Sequence, residues 1–197
     1  MTTLDEKQRG VPDMVETPRL YLRPYRAGDG PWYYAMSCRN REHLSRYESE
    51  NVALSIHNED EAELVVRDLA LEWSARKHMF LGAFAKDNDD FVAQIYIGAV
   101  NTDVDAYRIG YFADVDHEGQ GYVTEAVRAA LAFIFEQLQG RRVGIECDDS
   151  NQRSIRVAQR CGFVPEGHIR EDKRLADGTV TGTRLFGMLK REFAATL

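Results

Sequence analysis

Residues 108–130, RIGYFADVDHEGQGYVTEAVRAA, decide how the rest of the chain is read. Residues 108–113 alternate polar and apolar side chains and are rich in aromatics, the pattern of a strand. Gly119 and Gly121 follow in a short polar turn. From Thr124 the apolar Val127, Ala130, Leu131, Ile134 and Leu138 recur at helical spacing, and Gly140 stands where that helix would end. The first-turn N–H groups of such a helix lack partners within it and carry the positive end of its dipole. With the turn they aim at one point, suited to a phosphate. A turn that merely needs small residues has the same sequence. Two common phosphate motifs are absent: no third glycine follows as in a dinucleotide fingerprint, and no Gly-Lys-Ser/Thr as in a P-loop.

A second segment adds weight. Residues 149–163 read DSNQRSIRVAQRCGF, with Asn151, Ser154 and Ala158 on one helical face and Gly162 ending the helix before a strand at Phe163. Together the segments resemble the GNAT acyltransferase superfamily, whose members move an acetyl group from acetyl-CoA to an amine. EGQGYV at 118–123 is similar to its pyrophosphate motif Gln/Arg-x-x-Gly-x-Gly/Ala, with Glu118 in place of Gln or Arg and Val123 in place of the last Gly or Ala. The resemblance is closer to the RimJ/RimL-type branch, which acetylates N-termini of ribosomal proteins. It lies in ETPRLYLRP at 16–24, IGYF at 109–112, GQGYVTEA at 119–126, and NQRS through CGF at 151–163. It spans about 15–193 and implies a GNAT-like α+β fold. That fold has a mixed, mostly antiparallel central sheet, flanked by helices and splayed in the middle for acetyl-CoA.

Composition narrows the alternatives. A chain of 197 residues suits one domain with a sizeable core. No apolar run reaches membrane-spanning length and the N-terminus is too polar for a secretory signal, so the expectation is a cytoplasmic protein without a membrane partner. Cys38, Cys147 and Cys161 are widely spaced, and no histidine pattern fits a metal, so reduced thiols and no metal site are expected. A net charge of −7 argues against nucleic acid and is compatible with a cationic amine substrate, although such a charge mainly favours solubility.

Along the chain, residues 1–14 lack periodicity and read as a mobile tail before a single domain at 15–197. A strand is expected where Leu20 and Leu22 alternate with Tyr21 and Arg23, stopped by Pro24, then a helix through 32–38 with a second short one from Arg41, and an irregular stretch at 48–56. An amphipathic helix follows over 61–77, capped by Asn58 or Asp60. Strands near 79–86 and 91–101, a buried strand at 143–147, and a hairpin of 163–170 with 179–190 around Ala176, Asp177 and Gly178 complete an α+β order.

The pyrophosphate cradle is assigned to the backbone of Gly119, Gln120, Gly121, Tyr122, Val123 and Thr124. Asp114, Asp116 and Glu118 are unfavourable beside phosphate and are expected to point outward. Arg153, Arg156 and Arg160 either answer the remaining phosphate or form a solvated basic face. By resemblance, the edge at Phe112, Ala113 and Asp114 pairs with the pantetheine amides. Asn151 holds an arm amide, caps its own helix, or does both. Many GNAT enzymes carry a tyrosine acid four residues after Ser154. Ala158 stands there, and by resemblance to the ribosomal-protein branch Ser154 serves the sulfur or oxyanion instead. The alternative is a helix hydroxyl bonded to its own turn. The glutamate base of the related enzymes falls on Lys173, leaving Glu146 through water as the candidate. An α-amine, with a pKa near 8, is roughly one-tenth neutral at pH 7 and needs little help; a lysine amine does not share that ease. Cys147 has no neighbouring histidine, so direct transfer is expected. Three functions stay open: acetylation of a protein α-amine, acetylation of a small amine such as a polyamine, amino acid or aminoglycoside, and acyl-CoA binding without catalysis. Ala158 and Lys173 keep the last in view. Monomer and homodimer both fit.

Overall fold

Leu20 and Leu22 are fully buried while Tyr21 and Arg23 are less so. This period-2 pattern makes β2 (Leu20–Pro24) one strand of an eight-stranded sheet. A computed structural model describes residues 12–195 except Lys77 and Ala176. Most of the tail expected at 1–14, and one residue of the expected hairpin turn, thus lie outside the described residues. The remaining strands are β1 (Val15–Glu16), β3 (His78–Ala85), β4 (Phe91–Asn101), β5 (Ala106–Ala113), β6 (Arg142–Asp148), β7 (Val164–Arg174) and β8 (Val180–Leu189). Their order is β1-β2-β3-β4-β5-β6-β8-β7, and every pairing is antiparallel except β5 with β6. The α+β, mostly antiparallel sheet expected from the sequence is present.

The helices are α1 (Gly30–Tyr47), α2 (Glu59–Ala75), α3 (Tyr122–Ala132), α4 (Gln152–Arg160) and the short α5 (Lys190–Ala194). Two helices were expected where α1 runs unbroken. The join holds because Asn40 Nδ2 donates to Met36 O at 2.9 Å and to Asp114 Oδ2 at 2.8 Å, so a residue indifferent to helix gains a tertiary partner. Asn58 is the cap of α2, its Oδ1 accepting from Glu61 N at 2.9 Å. The stretch after α1 is not wholly irregular, since Val52–Ser55 forms a 3₁₀ turn. Beyond α3 the chain widens into a π-turn at Phe133–Gln137, where Leu138 N donates to Phe133 O at 3.1 Å. Phe133, Ile134 and Phe135 are all buried there.

Pleating sends alternate side chains into two cores. Ile95, Ile97 and Ile109 meet Val127 and Leu131 of α3 in one. Phe84, Phe91 and Phe112 meet α1 and α2 in the other. Of the aromatics Trp32, Tyr33, Tyr34 and Trp73, only Tyr33 borders a cavity described below. Trp73 stacks on Phe133, with ring centroids 5.9 Å apart.

Candidate active site

The parallel pairing of β5 and β6 lasts for three residues, Ala106↔Arg142, Tyr107↔Val143 and Arg108↔Gly144. Beyond it β5 stays with β4 as far as Ala93↔Ala113, while β6 follows β8 to Asp148↔Thr183. The sheet therefore opens between Ile109–Ala113 and Ile145–Asp148, exposing two strand edges. α3 begins just past this fork. Gly119 and Gly121 have φ of +74° and +82°, values that side chains resist. Gly121 is the helix cap and supplies no side-chain bond, so the first-turn N–H groups face outward uncapped. A Cβ at Gly119 would meet nothing within 4 Å, and one at Gly121 only Arg19 Nη2 at 3.6 Å. There is room here for an anion.

A cleft of about 1130 Å³ lies along this fork. Its wall includes Phe112, Ala113, Gly119, Gly121, Tyr122, Val123, Thr124, Asn151 and Ser154, nine of the residues expected to hold a cofactor, and also Arg153, Arg156 and Arg160. Two expected contacts are not in the wall. Gln120 is drawn away, its carbonyl accepting from Arg19 Nη1 at 3.1 Å. Asp114 does not point outward as expected. It is fully buried and accepts from Arg39 Nη2 at 2.6 Å and Asn40 Nδ2 at 2.8 Å, tying α1 to the turn, while its own N–H is spent on Val92 O at 2.9 Å. Burial alone would raise its carboxyl, but bonds from Arg39, Asn40 and His117 outweigh that and hold it below the usual carboxylate range. Asp116 is largely exposed, as expected. Glu118 instead stands in the cleft wall, ion-paired to Arg153 of α4 and 3.6 Å from His43 Nε2 of α1. Its charge is thereby offset beside the glycine turn.

A second cavity, about 800 Å³, opens on the other side of the fork between β3, β4, β6 and β7. Tyr111, Phe112, Asn151, Ser154, Arg46, Tyr47 and Glu48 border both spaces, so the two meet at a neck. Asn151 Oδ1 accepts from Ser154 N at 3.1 Å, which makes it the cap of α4 and fixes Ser154 in the neck. Ser154 Oγ donates to Tyr111 Oη at 3.1 Å and lies 3.1 Å from Cys147 Sγ, while Tyr111 Oη donates to Ser154 O at 3.0 Å. Burial pushes the Tyr111 phenol well up, so it stays protonated. Burial raises the Cys147 thiol too, against the hydrogen bonds of Ser154 and Tyr111. A protonated thiol is a poor nucleophile. Glu146 borders only the second cavity and pairs with Arg108 Nη2 at 2.7 Å. Lys173 lines the same cavity. A bulge brings it there: four residue steps on β7 from Ile169 oppose two on β8 from Thr183, with Glu171 at φ +55° between.

Sequence reasoning passed over Tyr111 and Glu48. Tyr111 stands in the IGYF run, yet nothing in one dimension links it to a serine 43 residues on. Glu48 closes α1 at the edge of a stretch read as irregular. Among the described residues no group of three or more His, Cys, Asp and Glu side chains forms a metal site, and no helix is long and apolar enough to cross a membrane.

The sequence profile of the Acetyltransferase (GNAT) domain family matches residues 19–164. A probable N-acetyltransferase, YjcK of Bacillus subtilis, is 27% identical over 168 residues, 82% of this chain and 90% of its own. A ribosomal-protein-serine acetyltransferase of Escherichia coli is 26% identical over 145 residues, 73% of this chain and 78% of its own. Among solved structures, RimL, a ribosomal L7/L12 α-N-protein acetyltransferase in complex with coenzyme A, superimposes with a TM-score of 0.80 at 20% identity, covering 89% of this chain and 97% of that one. At that identity the likeness is one of fold.

Proposed function

The chain belongs to the GNAT acetyltransferase family, and from that premise we propose that it transfers acetyl from acetyl-CoA to the α-amine of a protein N-terminus. The observation that carries the reading is the neck: two clefts, one bordered by an uncapped helix start, share Ser154 and Tyr111. In this reading the pyrophosphate lies on the backbone of Gly119, Gly121, Tyr122, Val123 and Thr124. The Phe112–Ala113 edge and Asn151 receive the pantetheine amides, as a neighbouring strand would be received. Ser154 faces the thioester and gives a proton to the departing sulfur, and Tyr111 holds and resupplies Ser154.

The acceptor enters by the second cavity. The kinship with a ribosomal-protein-serine acetyltransferase favours a peptide terminus there. A polyamine is the rival, favoured by Glu48, Glu50, Glu146 and Asp148 in the wall. Arg46, Lys173 and Arg174 in the same wall offset three of those four charges, which makes a poor site for a polycation. The test is acetyl-CoA turnover against peptides with free N-termini, N-blocked peptides bearing lysine, and spermidine. Free N-termini are expected to be acetylated far faster than the others. Preferred turnover of spermidine or of blocked lysine peptides would overturn the acceptor class.

A further inference from the structure

Where the resemblance expects a glutamate, β7 presents Lys173, and the neck has to find its base elsewhere. Four carboxylates border the second cavity. Asp148 is consumed by Thr181 Oγ1 at 2.6 Å and by Ser150 N and Oγ at 2.9 and 2.6 Å. Glu146 is paired with Arg108, and Glu50 borders only this cavity. His78 also borders only this cavity, its Nδ1 2.8 Å from Tyr96 Oη. Glu48 alone among these groups borders both cavities, at the neck with Ser154. Its place is fixed by the end of α1, where Glu48 N donates to Leu44 O and Glu48 O accepts from Asn51 N, each at 2.8 Å.

We propose that Glu48, bordering both cavities at the neck, is the general base of the transfer, taking a proton from the acceptor ammonium. This rests on the amine-acetyltransferase reading above. As the ammonium loses one proton to a Glu48 oxygen, and through it to water, the freed nitrogen pair forms the C–N bond to the thioester carbonyl. The C–S bond then breaks with its electron pair on sulfur. Ser154 supplies the sulfur's proton, and the second proton lost by the nitrogen restores the balance. One amide, one thiol and one released proton result.

The electrostatics agree. Glu48 is exposed in the empty cleft, yet the protein crowding the neck desolvates its carboxyl enough to raise it above its ordinary value, and Lys173 opposes the rise. The side chain retains contact with cleft water, which limits the lift. Substrates filling both clefts displace that water and make the carboxylate a stronger base. Of the other cations nearby, Arg46 precedes it on α1 and Arg174 follows Lys173. Glu50, Glu146 and Asp148 act in the opposite sense, favouring the protonated form.

Two measurements on the full chain test this. In the first, carboxyl-labelled glutamate is titrated by NMR, the Glu48 signal being the one missing in Glu48→Gln. A midpoint above the free-glutamate value of about 4.3 is expected, and one at or below it overturns the proposal. In the second, kcat/KM is followed against pH with the best amine of the panel above. Glu48→Gln is expected to lose about 10²–10⁴-fold near neutrality with KM for acetyl-CoA unchanged, and to recover as pH approaches the pKa of the amine. Lys173→Gln should move the rising limb to higher pH, since the cation that holds the carboxyl down is gone. A parent-like profile in Glu48→Gln overturns the proposal while leaving the acetyltransferase reading intact. No turnover by the parent on any amine removes that reading, and the base with it.

Discussion

Ser154 Oγ has two neighbours at 3.1 Å, Tyr111 Oη and Cys147 Sγ, and can aim its proton at only one acceptor at a time. Serving a sulfur in the neck means turning from Tyr111, whose own proton then has Ser154 Oγ as an acceptor. On the proposed reading the pair passes a proton outward, the Tyr111 proton turning from Ser154 O to Ser154 Oγ. Ser154→Ala should lower kcat by about 10²-fold or less with KM for acetyl-CoA little changed, and Tyr111→Phe should add little once Ser154 is gone. An unchanged kcat in Ser154→Ala, with chemistry shown to be rate-limiting, leaves Ser154 as a helix residue. At this scale the sequence was legible in part. Ser154 stood out because Ala158 occupies the usual tyrosine position. Tyr111 and Glu48 did not, because a strand residue and a helix-end residue become neighbours of a site only through the sheet's fork. Glu146 was named as the end of a water chain once Lys173 took the glutamate position, but its pairing with Arg108 needed the adjacent strand. Glu146→Gln should accordingly cost little activity.

The turn before α3 and the end of β5 are the elements on which the site hangs. Gly121→Glu puts a carboxylate where a phosphate is expected, in a backbone conformation costing about 1–3 kcal/mol for a residue with a side chain. The space around its Cβ is open enough for the fold to survive. Acetyl-CoA should raise the Tm of the parent and not of this variant; equal shifts in both would take the phosphate site away from the turn. Asp114 holds the same turn from behind. Asp114→Asn should destabilise the fold by about 1–2 kcal/mol at neutral pH, since it weakens the bonds of a buried carboxylate to Asn40 and to the partly exposed Arg39. Because the folded-state pKa of Asp114 is lowered, its contribution is full above the unfolded value of about 3.9 and fades as pH falls through the folded value. Denaturant titrations of parent and variant should therefore converge as pH falls through the folded value; a gap that does not shrink at all with falling pH would contradict this account. The glycines announced the turn in sequence. The burial of Asp114 was invisible there, since its partners on α1, Asn40 and Arg39, lie 74 and 75 residues away.

Over the whole molecule, alternation in strands and the apolar stripes of α2 and α3 carried most of the fold, and the expected splayed sheet follows from a parallel pairing only three residues long. What patterning could not carry was length and company. The helix at 30–47 survives through the Asn40 contact, and the bulge that places Lys173 on the second cavity depends on β8. The central claim is that donor and acceptor clefts form one passage through the neck at Ser154. Its most direct test is calorimetry with a conjugate in which the sulfur of coenzyme A is joined through an acetyl bridge to the α-amine of a short peptide. One passage predicts binding at least tenfold tighter than coenzyme A alone, about 1.4 kcal/mol, with the gain lost when the peptide is removed from the bridge. A conjugate that binds no better than coenzyme A would contradict it.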